Sequence, residues 1–126
     1  MDAPRKRILI IDARDDWLST IKSALEDNEY AVSRARNLAD AQKVILAEGN
    51  AFDLIVTDQL QAESSKQDLQ DLIWIEPDRR RRVVILFNTE PTLQKMRKIF
   101  KLGVYDCLTK FDEPEEILKL IQETTR

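Results

Sequence analysis

Short apolar runs alternate with amphipathic stretches along the whole chain. Arg7–Ile11 is continuously apolar after its first residue, which is typical of a strand buried on both faces. The apolar segments Phe52–Thr57 and Arg82–Phe87 predict two further strands of this kind. Tyr30–Arg34 and Val104–Leu108 are weaker, and the first of them is expected at an edge of the sheet. The pattern therefore predicts five strands.

An amphipathic segment follows each strand and predicts a helix, the third one short and preceded by a polar stretch at residues 59–65. Residues favoured at helix termini mark where these helices begin or end: Asp15 or Asp16, Asn37, Gly49, Pro91, Gly103 and the capping-box-like Asp112–Glu115. Four apolar residues of the fourth helix are expected to face the core: Leu93, Met96, Ile99 and Phe100. Strands that alternate with helices predict an α/β fold, a doubly wound five-stranded parallel sheet flanked by five helices, in one domain over residues 1–126.

Composition narrows the chemistry that this domain can perform. With 20 Lys and Arg against 23 Asp and Glu, the net charge of -3 gives no general attraction to nucleic acid or anionic lipid. The single cysteine excludes an intrachain disulfide, and the absence of histidine leaves catalysis to carboxylates, lysine and backbone groups. The N-terminal segment is too short in apolar residues for a signal peptide or a membrane span, so we expect a cytoplasmic protein.

Polar residues follow four of the predicted strands. Asp58 ends the third strand, and Asp12, Asn88 and Lys110 follow the first, fourth and fifth. The carboxyl ends of parallel strands line one crevice, so these side chains are expected to lie together. They are the parts needed for phosphoryl transfer onto Asp58: a nucleophile, a divalent-cation site, a positive charge and a hydrogen-bond donor. The alternative is that Asp58 only caps the segment after it.

The chain resembles the receiver domain of bacterial two-component response regulators along nearly all of its length. Four segments carry the likeness jointly through their spacing: Ile10–Ala13, Asp53–Asp58, Asn88 at 30 positions beyond Asp58, and Cys107–Phe111 around Lys110. Gly103 also falls where such domains end their fourth helix. The resemblance implies a flavodoxin-like (CheY-like) fold with strand order 2-1-3-4-5.

The resemblance also implies a function in two-component signal transduction. Asp58 would accept a phosphoryl group from a sensor histidine kinase, with Lys110 and Asn88 assisting, and the domain itself would not be an enzyme. Mg²⁺ would be held by Asp12, Asp58 and the backbone carbonyl of Leu60. An effector domain or a homodimer would use the face formed by the fourth helix, fifth strand and fifth helix, unless this charged face is simply solvated.

Three departures from the family pattern bear on this expectation. Ala13 stands where the family has a second acidic metal ligand, which is expected to weaken Mg²⁺ binding about 10-fold or more. Asn88 replaces a hydroxyl residue, and Cys107 replaces the aromatic residue of the switch. The alternative function is therefore a phosphorylation-independent pseudo-receiver, a module for protein interaction or dimerisation.

Two basic features admit more than one interpretation. Arg14 could reach into the acidic pocket and replace the charge of the metal, or it could point to solvent. The run Arg79–Arg82 lacks interleaved aromatic residues, which favours a solvated loop or a partner contact over nucleic acid.

Two enzyme classes do not fit the sequence. A haloacid-dehalogenase-type phosphatase needs Asp where Arg14 stands, and an FMN-binding flavodoxin needs a phosphate-binding loop where Asp12–Asp16 is acidic.

Overall fold

A computed structural model of the chain describes residues 5–48, 52–110 and 113–126. Its elements in chain order are β1 (Arg7–Ile11), α1 (Asp15–Asp27), β2 (Ala31–Ala35), α2 (Leu38–Glu48), β3 (Leu54–Asp58), α3 (Gln59–Ser64), α4 (Lys66–Ile73), β4 (Trp74–Glu76), β5 (Arg79–Arg80), β6 (Val83–Phe87), α5 (Leu93–Lys101), β7 (Asp106–Thr109) and α6 (Pro114–Thr124). None of the helices in these ranges is long and apolar enough to cross a membrane.

Five strands form one parallel sheet in the order β2-β1-β3-β6-β7. Since β6 and β7 are the fourth and fifth strands of the sequence prediction, the predicted α/β fold and the order 2-1-3-4-5 are confirmed. The sheet reverses its winding between β1 and β3, where Ile11 is paired with Thr57. Asp12 and Asp58 come directly after this pair, which places both at the switch point of the sheet.

Both faces of the sheet are covered, so its central strands are apolar on both sides. On one face, Leu9 and Ile85 pack in a core with residues of α2, α4 and α5. On the other, Ile10 and Val56 pack with residues of α1 and α6. This two-sided burial explains why β1, β3 and β6 show no alternation of polar residues in the sequence.

The region after β3 differs from the sequence prediction. The polar stretch at residues 59–65, for which no helix was predicted, contains helix α3, because Asp58 caps it and Ser65 then caps α4. A two-stranded antiparallel hairpin, β4-β5, follows α4 and was not predicted. The described residues therefore contain six helices and this hairpin in addition to the predicted sheet.

The helix termini confirm some of the predicted caps and correct others. Asn37 Oδ1 accepts from the Asp40 N–H at 2.8 Å, and Gly103 ends α5 with a φ of 106° that favours glycine. Thr92, not Pro91, caps α5. Asp15 and Asp16 lie inside the first turn of α1, so neither is its N-cap residue. Glu113 is the N-cap residue of α6, but its side chain makes no capping hydrogen bond. Gly49 and Asp112 lie outside the described residues.

The side of α5 that faces the core differs from the prediction. Only Ile99 of the four expected core residues is buried, whereas Leu93 is 61% and Phe100 43% exposed. Leu93, Met96 and Phe100 follow one stripe of the helix, and Ile99 lies on the neighbouring stripe with Leu102. The sheet packs against the second stripe, so α5 presents apolar side chains to solvent.

Candidate functional site

Asp12 and Asp58 are almost completely buried at the carboxyl edge of the sheet, with exposed fractions of 1% and 5%. Two buried carboxylates side by side would repel each other strongly, so a charged pair here requires a compensating cation. The sequence provides one at the end of β7, the strand at the far edge of the sheet.

Lys110 supplies that cation. Its backbone N–H donates to the Phe87 carbonyl at 2.9 Å, which fixes the residue beside β6. Its ammonium Nζ lies 2.7 Å from Asp12 Oδ2 and 2.6 Å from Asp58 Oδ1. The same Nζ is 4.9 Å from the ring centroid of Trp17, a cation–π contact that shields it from water. One ammonium is thus shared by two carboxylates, and the cluster carries one net negative charge.

Backbone amides occupy the remaining carboxylate oxygens. Asp12 Oδ1 accepts from the Arg14 N–H at 2.8 Å, and Asp58 Oδ2 accepts from the Leu60 N–H at 3.0 Å. Asp58 is therefore also the N-cap of α3. Asp58 Oδ1 is fully buried. Within the described residues its partner is the Lys110 ammonium, with which it forms an ion pair but not a hydrogen bond of regular geometry. The capping role and the ionic role of Asp58 exist together.

Asn88 lies at this edge, but the structure engages its backbone instead of its side chain. The Asn88 N–H donates to Gln59 Oε1 at 2.9 Å, and Gln59 Nε2 donates to Glu63 Oε1 at 3.2 Å. Glu63 pairs in turn with Lys95 Nζ on α5 at 3.1 Å. In the part of the chain that the structure describes, the Asn88 side chain has no hydrogen bond to Asp58 or Lys110. Gln59 was missed by the sequence analysis, because only its position beside Asp58 pointed to it.

The guanidinium of Arg14 does not enter the acidic pocket. It pairs with the exposed Asp16 at 3.2 Å, which corrects the hypothesis that Arg14 replaces the metal charge. The hydrogen bond from the Trp17 N–H, together with Arg14, lowers the pKa of the Asp16 carboxyl. A different arginine approaches Asp12: Arg34 Nε donates to the Asp12 carbonyl oxygen at 3.1 Å. Arg34 belongs to the neighbouring strand β2. Nothing in the sequence indicated that it would contact Asp12.

The residues at this edge fit Mg²⁺ only in part. Asp12 and Asp58 are the hard oxygen ligands that this ion prefers, but Ala13 contributes none. Among the described residues, no group of three or more acidic or cysteine side chains is placed to hold a metal ion. A divalent cation between the two carboxylates would also have to compete with the Lys110 ammonium, which contacts both.

Leu60 departs from the expected ligand set. The resemblance implies that its backbone carbonyl binds the metal, but Leu60 lies in the first turn of α3. In a first turn the N–H groups face the start of the helix and the carbonyls face its C-terminus. Leu60 therefore presents its N–H to Asp58, at 3.0 Å from Oδ2.

No family model matches the sequence, and no curated protein matches it. Solved structures do. A response regulator from Thermotoga maritima superimposes with a TM-score of 0.81 at 19% identity, over 97% of this chain and 98% of that one. An orphan response regulator from H. pylori gives 0.80 at 17% identity, over 98% and 100%. A response regulator from Burkholderia pseudomallei, whose structure contains a phosphorylated aspartic acid, a calcium ion and citrate, gives 0.72 at 28% identity, over 90% of this chain and 64% of that one. The chain has the fold of response regulator receiver domains, as its sequence predicted.

Proposed function

We propose that this chain is a receiver domain of two-component signal transduction, a signalling domain rather than an enzyme, and that Asp58 accepts a phosphoryl group from a sensor histidine kinase. The observation that supports this most directly is the 2.6 Å contact between Lys110 Nζ and Asp58 Oδ1. It places a positive charge beside the carboxylate, where phosphoryl oxygens would lie.

The transfer needs few groups from the protein. An oxygen of Asp58 forms the new P–O bond while the P–N bond of a phosphohistidine breaks and its electron pair returns to the imidazole of the kinase. Lys110 neutralises charge on the phosphoryl group, and the Leu60 N–H holds the other carboxylate oxygen in place. If Mg²⁺ takes part, Asp12 and Asp58 would hold it, and it would neutralise charge on the phosphoryl oxygens.

Gln59 offers a route from the phosphoryl group to α5. A phosphoryl oxygen on Asp58 can compete with Gln59 Oε1 for the Asn88 N–H. Displacing Gln59 would break its bond to Glu63, which holds Lys95 on α5. The face formed by α5, β7 and α6 would then change its contacts to an effector or to a second copy of the chain.

The test is to incubate the protein with acetyl phosphate and Mg²⁺ and to record its intact mass. We expect addition of one phosphoryl group to the unaltered chain and none to Asp58→Asn. Ala13→Asp restores the second carboxylate and is expected to raise the labelled fraction several-fold, with Ala13→Asn as the matched neutral control. If neither the unaltered chain nor Ala13→Asp is labelled at millimolar Mg²⁺, phosphorylation of Asp58 is refuted.

A second candidate function is the phosphorylation-independent interaction module. The observation that favours it is that all four oxygens of Asp12 and Asp58 already have protein partners in a site closed to water. The exposed Leu93, Phe100 and Tyr105 on α5 and beside β7 would then form a permanent contact surface. A molecular mass by light scattering that rises with concentration in the unphosphorylated protein, and is lost in Phe100→Ser, is the expected result. A monomer at all concentrations would exclude self-association through this face.

A further inference from the structure

A cavity of about 510 Å³ lies between helices α3, α4 and α5, over the sheet. Its walls are apolar and come from the buried core: Ala62, Leu69, Ile85, Phe87 and Ile99. This volume lies in the range of about 300–1,000 Å³ that is typical of sites for small molecules.

The cavity exists because the helices around it do not close over the sheet. Ser65 is extended, with φ of -154° and ψ of 113°, and separates α3 from α4. On the other side, α5 buries only Ile99 of its nine residues. The gap between the two sides lies over β6, whose side chains Ile85 and Phe87 form the floor of the cavity and stay buried.

The rim of the cavity is positively charged. Lys66, Lys98 and Lys101 surround the opening, and none of them has an ion-pair partner within the described residues. Glu63 is the acidic residue of the lining, and Lys95 already neutralises it. An apolar interior below unpaired ammonium groups is complementary to a molecule with an apolar body and an anionic head.

We propose that this cavity binds a free small-molecule amphiphilic carboxylate. Its hydrocarbon part packs against Ile99 and Leu102, and its carboxylate lies among Lys66, Lys98 and Lys101. A free molecule fits better than a membrane lipid, because the binding walls are core side chains behind the helix surface and the chain would have to leave the bilayer to reach them.

The probe is decanoate, titrated into the ¹⁵N-labelled full chain, with decanol as the neutral counterpart. We expect saturable shifts at Ala62, Ile99 and Leu102 for decanoate and at least fivefold weaker binding of decanol. The double variant Lys98→Met/Lys101→Met keeps the apolar stems and removes the charges, and we expect it to bind decanoate about tenfold more weakly. Its matched control is Lys43→Met/Lys119→Met on helices α2 and α6, which should bind as the unaltered chain does.

A second variant tests the cavity itself. Ala62→Leu places three additional carbons in the cavity and is expected to abolish binding, while its unfolding curve shows that it still folds. Four results would overturn the proposal: no saturable shifts at millimolar decanoate, equal binding of decanol, shifts confined to the outer stripe at Leu93, Met96 and Phe100, or unchanged binding by folded Ala62→Leu. Co-sedimentation with anionic phospholipid vesicles without binding of free decanoate would likewise reject it in favour of a membrane surface. Since binding is read without phosphorylation, these results are independent of the fate of Asp58.

Discussion

The two ends of the sheet both carry concentrated charge, but they use it differently. At the carboxyl edge, Asp12, Asp58 and Lys110 are buried against one another. At the amino end, the arginine run makes its hydrogen bonds to backbone carbonyls near the C-termini of three helices: Arg80 to Gly103, Arg81 to Leu72 and Arg82 to Thr124. The first region pairs charge with charge, and the second pairs charge with helix ends.

In this protein the surroundings of a charged side chain decide what that charge does. Water is excluded from the carboxyl edge, so each charge there depends on the others, and removing one changes the state of the rest. The guanidinium groups at the amino end act separately on different carbonyls and keep contact with solvent. The run Arg79–Arg82, expected to be a solvated loop or a partner contact, contains β5 in its first half and ties α4, α5 and α6 to the base of the sheet.

The largest effect is expected from Lys110→Met. This variant leaves Asp12 and Asp58 buried without a cation, which should lower the free energy of unfolding by about 3–5 kcal/mol. Urea denaturation followed by circular dichroism measures it, and Lys119→Met on the exposed side of α6 is the control. A loss below about 1 kcal/mol would mean that the two carboxylates do not depend on Lys110.

A smaller loss is expected at the amino end. Arg81→Met removes the donor to the Leu72 carbonyl and should lower the free energy of unfolding by about 1–2 kcal/mol. Burial, together with the charge of Arg79, lowers the pKa of the Arg81 guanidinium, but it stays charged at neutral pH. Arg79→Met, on an exposed residue of the same arginine run, should change the free energy of unfolding by less than about 0.5 kcal/mol. Equal losses in the two variants would show that the run acts by its total charge.

Asp58→Asn should lower the free energy of unfolding by at most about 1 kcal/mol, which is less than the loss expected for Lys110→Met or Arg81→Met. The remaining Asp12–Lys110 pair is neutral, and the asparagine oxygen can still accept from the Leu60 N–H. The same denaturation experiment compares it with Lys110→Met. A loss as large as that of Lys110→Met would contradict a cluster in which one cation serves two carboxylates.

The smallest effect concerns Cys107 on β7, which packs against the core under α2, α4 and α5. Burial and, after it, the neighbouring Asp106 carboxylate raise the pKa of its thiol. The unfolded chain therefore loses this proton at lower pH than the folded chain, and the stabilising contribution is lost as pH rises through that interval. At pH 8, iodoacetamide should react more slowly with the folded protein than with the urea-unfolded chain, and Asp106→Asn should speed the folded reaction by about twofold. Equal folded and unfolded rates would show that the thiol is not perturbed.

Local sequence patterns were enough to predict the sheet and the placement of its main polar residues. Each apolar run marks a strand, and the residue after it must emerge at the carboxyl edge if the sheet is parallel. Asp12, Asp58 and Lys110 each stand directly at a strand end, so their positions along the chain place them at one rim. The Asn37 cap and the Gly103 terminus were predictable for the same reason, since they act within a few residues of their partners.

The tertiary structure alone decided what these groups contact. Helical periodicity identifies the stripes of α5 but not which stripe meets the sheet, so Ile99 is buried and Leu93 is not. Gln59 meets Asn88, and Arg34 meets the Asp12 carbonyl, only because separate strands are brought side by side. Likewise, the cavity beneath α5 depends on how far apart two helices pack. Contacts between distant segments depend on packing geometry, which a one-dimensional pattern of apolar and polar residues does not encode.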